Sequence, residues 1–144
     1  MFRKLLTTSS SFAPVVLRLA LAVIFIGHGS QKVLGAYGGP GFKAFTSGTT
    51  PFSFMRPAWL WLSAAALSEL LGGVLIGLGF LTRVGSFLIF CTMLTAIAGV
   101  HWPNFFMNNR GLEFPLALLA MSLSLLISGG GIASVDRALS GGRR

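Results

Sequence analysis

Three acids and two histidines are the only groups in this 144-residue chain that titrate between acid and neutral pH, and four of the five sit in or beside long apolar runs. Glu69 and His28 are read as the proton-handling pair, because imidazole titrates near neutrality and a carboxyl far from water must either pair or take up a proton. His101 and Glu113 are read as closing the same polar pocket. Arg18 is expected to reach towards Glu69 and balance its charge. Lys32 and Arg110, on the rim, are candidate ligand-binding partners for Glu113. Each has a bland alternative. Arg18 can snorkel to an interface, Lys32 and Arg110 (with Lys43 and Arg56) can anchor at headgroups, and Glu69 can lock two helices as a buried pair. The two histidines and two glutamates lack compact ligand spacing, so no metal is assigned to them. Cys91 is the sole cysteine and lies in an apolar run, which excludes an internal disulfide and a multi-cysteine cluster.

The elements carrying these residues are set by composition. Hydrophobic residues make up 53% of the chain and charged residues 10%, the wrong balance for a soluble fold. The apolar runs lack a charged face, so the class is all-α, a four-transmembrane-helix bundle in one domain, with spans at 13–34, 57–81, 84–100 and 112–128 and a Gly- and Phe-rich loop at 36–56. The first run is read as a retained span and not a cleaved signal, since it carries Arg18 and lacks a small-residue cleavage site. Leu81-Thr82-Arg83 is the expected turn between spans two and three, which makes those helices antiparallel neighbours. Pro115 falls in the first turn of span four, where a missing N–H matters least. Gly72, Gly73 and Gly77 permit close helix approach within the bundle.

Net charge is +8, from 11 Lys and Arg against three acids. The basic residues flank the spans, which points to the lipid bilayer and not to nucleic acid. Arg3, Lys4, Arg83, Arg137, Arg143 and Arg144 outnumber Lys43, Arg56 and Arg110 on the other side, so both termini are expected in the cytoplasm. Trp59, Trp61 and Trp102 near span ends suit the headgroup level. Phe42, Phe45, Phe52 and Phe54 are expected to insert there rather than form a lid. Counting about 1.5 Å of rise per residue from the cytoplasmic ends puts Glu69 at roughly 18 Å, His28 at roughly 22 Å, Glu113 at roughly 24 Å and His101 at roughly 26 Å, all in the outer half.

The ordered series Arg18, Gly27-His28-Gly29-Ser30-Gln31-Lys32, Glu69-Leu70-Leu71-Gly72-Gly73, Gly77-Leu78-Gly79-Phe80-Leu81-Thr82-Arg83, His101, Glu113 and Gly129 to Asp136 resembles the DoxX family of small four-helix bacterial membrane proteins. The resemblance implies a bacterial inner-membrane protein, a subunit of a quinone-linked oxidoreductase system, acting with a membrane protein partner or as a homo-oligomer. The chain shows no haem-ligand pattern, iron–sulfur cysteine set or flavin fingerprint, so a bound quinone or a partner has to carry the electrons. Two other classes fit the same residues. One is a non-catalytic structural subunit of a respiratory or photosynthetic complex. The other is a small-solute or ion pathway past Glu69.

Overall fold

The computed structural model describes residues 6–141, so Arg3, Lys4, Arg143 and Arg144 lie outside the described residues. Among those described, the chain is all-helical. Four long helices pack as an antiparallel bundle: α1 (Ala13–Leu34), then, after the short α2 (Gly41–Thr46), α3 (Ala58–Leu78), α4 (Thr82–Ala96) and α5 (Glu113–Ser128); a short α6 (Val135–Leu139) follows. α4 runs on as a π-helical turn, Ile97–His101. Among the described residues, three helices are long and apolar enough to cross a membrane: Ala13–Leu34, Ala58–Leu78 and Thr82–His101. At 16 residues α5 extends about 24 Å, short of a hydrocarbon core of about 30 Å.

Burial follows from lipid as solvent. Leu21, Phe25, Ile76, Ile89, Met93, Leu118 and Leu125 form the core, yet Val16, Leu19 and Val23 on α1, Leu71 and Leu78 on α3, Phe87 and Leu94 on α4 and Ile127 on α5 face outward. Ser86 and Ser122 are inside. Polar groups turned in and large apolar groups turned out are what a bilayer selects.

α1 and α3 meet along a ladder of small residues. A Cβ on Gly29 would lie 2.6 Å from the Leu70 backbone, one on Gly73 would lie 2.9 Å from the Ile26 amide, and one on Gly77 would lie 3.1 Å from Ala22. These glycines let the two backbones touch, the intramolecular packing expected of them. α3 and α4 meet in the same way at Gly72 and Gly85, where a Cβ on Gly85 would lie 3.0 Å from the Gly72 carbonyl oxygen. The turn between them is Gly79 to Leu81, slightly earlier than expected. Gly79 and Leu81 are both left-handed, at φ 65° and 47°.

The end that carries both termini is closed by charge. Arg18, 4% exposed, donates from Nε to the Ile76 oxygen (2.8 Å), from Nη2 to Gly77 (2.9 Å), and from Nη1 to Gly130 (2.9 Å) and Ala133 (2.7 Å). It thus takes up the Gly77 carbonyl at the end of α3, adds a second donor to the Ile76 carbonyl, which also accepts from the Gly79 amide, and ties both to the segment after α5. Arg83 does the same for α5, donating to Leu126 (2.6 Å) and Ile127 (2.8 Å). Asp136, buried on α6, accepts from the Leu81 and Thr82 amides at 2.7 and 2.9 Å and so caps α4 from a distance.

At the opposite end, residues 36–56 hold more structure than a surface loop: a 3-10 turn at Ala36–Gly38, then α2, which packs on α1 and α3. Gly39 makes this possible, because a Cβ there would lie 2.5 Å from the Gln31 oxygen.

Candidate functional site

Lys32 and Glu69 come together on the α1–α3 face. A helical Cα–Cβ bond leans towards its own N-terminus, so in antiparallel neighbours Lys32 leans away from the loop end and Glu69 towards it. The ammonium reaches both carboxylate oxygens at 2.5 Å. Glu69 is 3% exposed, and the Lys32 side chain keeps 25% of its surface. The Phe45 ring lies 5.4 Å from the ammonium, a cation–π contact. An ammonium has three N–H donors, and the carboxylate occupies two.

This pair forms the polar end of a cavity of about 290 Å³. α3 contributes Trp61, Leu62, Ala64, Ala65 and Ser68 to its walls; α4 contributes Leu88, Cys91, Thr92, Thr95 and Ala96; the loop roofs it with Phe45, Thr50, Pro51 and Met55. The walls are mostly apolar. The Thr92 and Thr95 hydroxyls donate back to their own helix, to Leu88 and Cys91. What the arrangement can do is hold a small, mostly apolar body and present one cationic donor, backed by a carboxylate, to an oxygen at its edge.

The expected cluster is brought together only in part. Glu69 pairs with Lys32 and not with His28 or Arg18, and Lys32 is an ion-pair partner rather than a headgroup anchor. His28 is exposed one turn earlier on α1, has no hydrogen bond or ion pair among the described residues, and does not line the cavity. Arg18 lies at the other end of α3, with four of its five N–H donors on backbone carbonyls. Glu113 pairs with neither Lys32 nor Arg110; its Oε1 accepts from the Met107 amide at 2.5 Å. His101 Nδ1 lies 2.6 Å from the Arg110 carbonyl, which requires the proton on Nδ1. These three residues knit the α4–α5 loop and do not close the pocket. Of the loop phenylalanines, Phe45 covers the pair and Phe52 stacks on Phe54 at 5.4 Å, while Phe54 itself is largely exposed. Thr50, Pro51, Met55, Ser68, Cys91, Thr92 and Thr95 carried no site signal in the sequence, since small and hydroxyl residues on apolar helices read as packing.

The model of the DoxX family matches residues 13–102, which include Arg18, Lys32, Glu69 and every wall of the cavity. The chain belongs to the DoxX family. This DoxX protein is also 30% identical over 138 residues to "Putative oxidoreductase CatD" of Bacillus subtilis (strain 168), covering 94% of this chain and 93% of that one. No solved structure matches it. Family and apolar helices together make it a multi-pass membrane protein. The family match stops before Glu113 and α5, but the similarity to CatD extends over nearly the whole chain.

Proposed function

We propose that this DoxX protein is the membrane subunit of a quinone-linked oxidoreductase system, and that its cavity holds the quinone head with one ring oxygen on the third Lys32 N–H. The observation that carries this reading is a single cation–carboxylate pair at the polar end of an otherwise apolar cavity. The relative's name supports the oxidoreductase class, and an apolar cavity with one polar end is compatible with the quinone that the family resemblance implies. At about 290 Å³ the space is at the small end for ligand sites, the right scale for a ring but not for its isoprenoid tail.

In this reading Glu69 holds Lys32 charged and aimed, and Lys32 hydrogen-bonds the oxygen on which electron density builds. Reduction takes two electrons and two protons. A redox partner supplies the two electrons and one of the protons; the Lys32 ammonium would pass the other to the oxygen it hydrogen-bonds and be recharged through its own partly exposed side chain. His28, exposed and off the cavity, has no step. α5, held in the bundle by Leu118 and Leu125, makes the fourth crossing with a locally thinned bilayer. The positive charge of Arg83 and Arg137 supports a reading with the terminal end on the cytoplasmic side of a bacterial inner membrane.

Native mass spectrometry of gently solubilised protein tests this. A quinone retained by the parent and lost in Glu69→Gln is the expected result. A stable protein partner with no small ligand in either sample would instead make the chain a structural subunit.

A further inference from the structure

We infer that the cavity is filled from the lipid side: its occupant slides in between α3 and α4 past Ala64 and Cys91, while the loop end stays shut. This rests on the quinone-site reading and adds the route and the solubility class of what binds.

Two sets of contacts define the route. Below the cavity α3 and α4 are pinned backbone to backbone at Gly72 and Gly85. Above that crossing Ala64, Ala65, Ser68 and Cys91 are small, and the space they leave unfilled is bounded by the larger Trp61, Leu62 and Leu88. Ala64 and Cys91 line the cavity and are exposed, as Pro51, Trp61 and Val100 are nearer the loop, and these two mark the opening between α3 and α4. One to two turns towards the terminal end, Leu71 and Phe87 continue the two helix faces as exposed apolar surface. An isoprenoid or alkyl tail has a lane there.

The roof is built to stay closed. Pro51 packs so tightly on the π-helical turn that a Cβ on Gly99 would lie 2.5 Å from the Pro51 Cβ. The Thr50 hydroxyl donates to the Phe52 and Met55 carbonyls at 3.3 and 3.2 Å, Met55 is buried, and Phe45 sits on Lys32. A wide π turn is what presents Gly99 to the loop, a common setting for functional sites. With the loop packed on the π-helical turn and apolar helix faces alongside, the occupant enters from the bilayer, while Lys32 keeps its own partial exposure for proton exchange.

Cys91 is the sole thiol, so its labelling reports the rim without any substitution. In nanodiscs, an alkyl maleimide should modify Cys91 at least tenfold faster than a sulfonated, membrane-impermeant one, and a short-tailed ubiquinone analogue should slow that labelling at least fivefold. Ala64→Trp should slow association of the same analogue at least fivefold. Gly99→Ala, which must lift Pro51, should raise the rate with the sulfonated reagent. Equal labelling of the parent by both reagents would overturn the side route. Analogue binding that depends on Lys32 but is indifferent to Ala64→Trp would overturn it too, and would leave the quinone reading intact. No analogue binding to the parent would sink the quinone reading, and the ratio of the two maleimide rates would then decide the route alone.

Discussion

Replacing Arg18 by Leu tests whether this arginine is a structural clamp, as its geometry says, or a ligand group. Four hydrogen bonds from one charged group to backbone carbonyls are lost. Bonds to charged groups contribute about 1.5–3 kcal/mol each, so the low end of that range gives about 6 kcal/mol for the set. Two considerations lower it. The Ile76 oxygen keeps a second donor, the Gly79 amide, and water entering at the helix end can satisfy the Gly130 and Ala133 carbonyls. The expected loss is therefore about 3–6 kcal/mol, a large share of the 5–15 kcal/mol that holds a typical domain folded. Arg18→Lys should recover roughly half, since one ammonium cannot span the two chain segments that the planar fork joins. Unfolding in mixed micelles of rising SDS fraction, followed by tryptophan fluorescence, measures both. Quinone affinity of the folded Arg18→Lys fraction should be unchanged. A loss under about 1 kcal/mol for Arg18→Leu, or a selective loss of quinone binding in Arg18→Lys, would refute the clamp.

Lys32→Met leaves a buried carboxylate without its partner and should cost about 3–5 kcal/mol, most of it regained in the double variant with Glu69→Leu; the same SDS titration, run as a double-mutant cycle, checks it. Asp136→Ala removes both acceptors that cap α4 and should cost about 2 kcal/mol, with faster amide exchange at Leu81 and Thr82 as the local signature. Gly29→Val forces α1 off the Leu70 backbone and should cost at least about 1–3 kcal/mol, read as a lower unfolding midpoint.

The helices and their order were legible because apolar run length and Gly or Pro punctuation report directly on a bilayer-spanning backbone. The turn at Gly79 was misplaced by two residues because Thr82 and Arg83 look like loop residues, whereas Asp136 caps the helix across 54 residues of sequence and lets it begin there. Glu69 stood out because an acid in mid-span has few bland explanations. Its partner did not, for a geometric reason: depth was counted along Cα positions, which put Lys32 above Glu69 and His28 beside it. The Cβ direction supplies the correction, since a lysine on a helix that runs towards the loop end leans back by much of its own length. Arg18 and Arg83 were invisible as clamps because their acceptors are backbone carbonyls, which no residue type announces. The cavity was equally silent, being the space that alanines, a serine and a cysteine fail to fill.

The proposed quinone site, with Lys32 and Glu69 at its polar end, carries its own reporter. Trp61 lines that cavity, so a bound quinone should quench its fluorescence. In nanodiscs, with Trp59 and Trp102 replaced by Phe to isolate the signal, the account predicts saturable quenching by a short-tailed ubiquinone analogue and at least tenfold weaker binding in Lys32→Met/Glu69→Leu, whose fold is not burdened by a lone charge. Equal affinity in parent and double variant, or quenching that rises linearly without saturating, would contradict it.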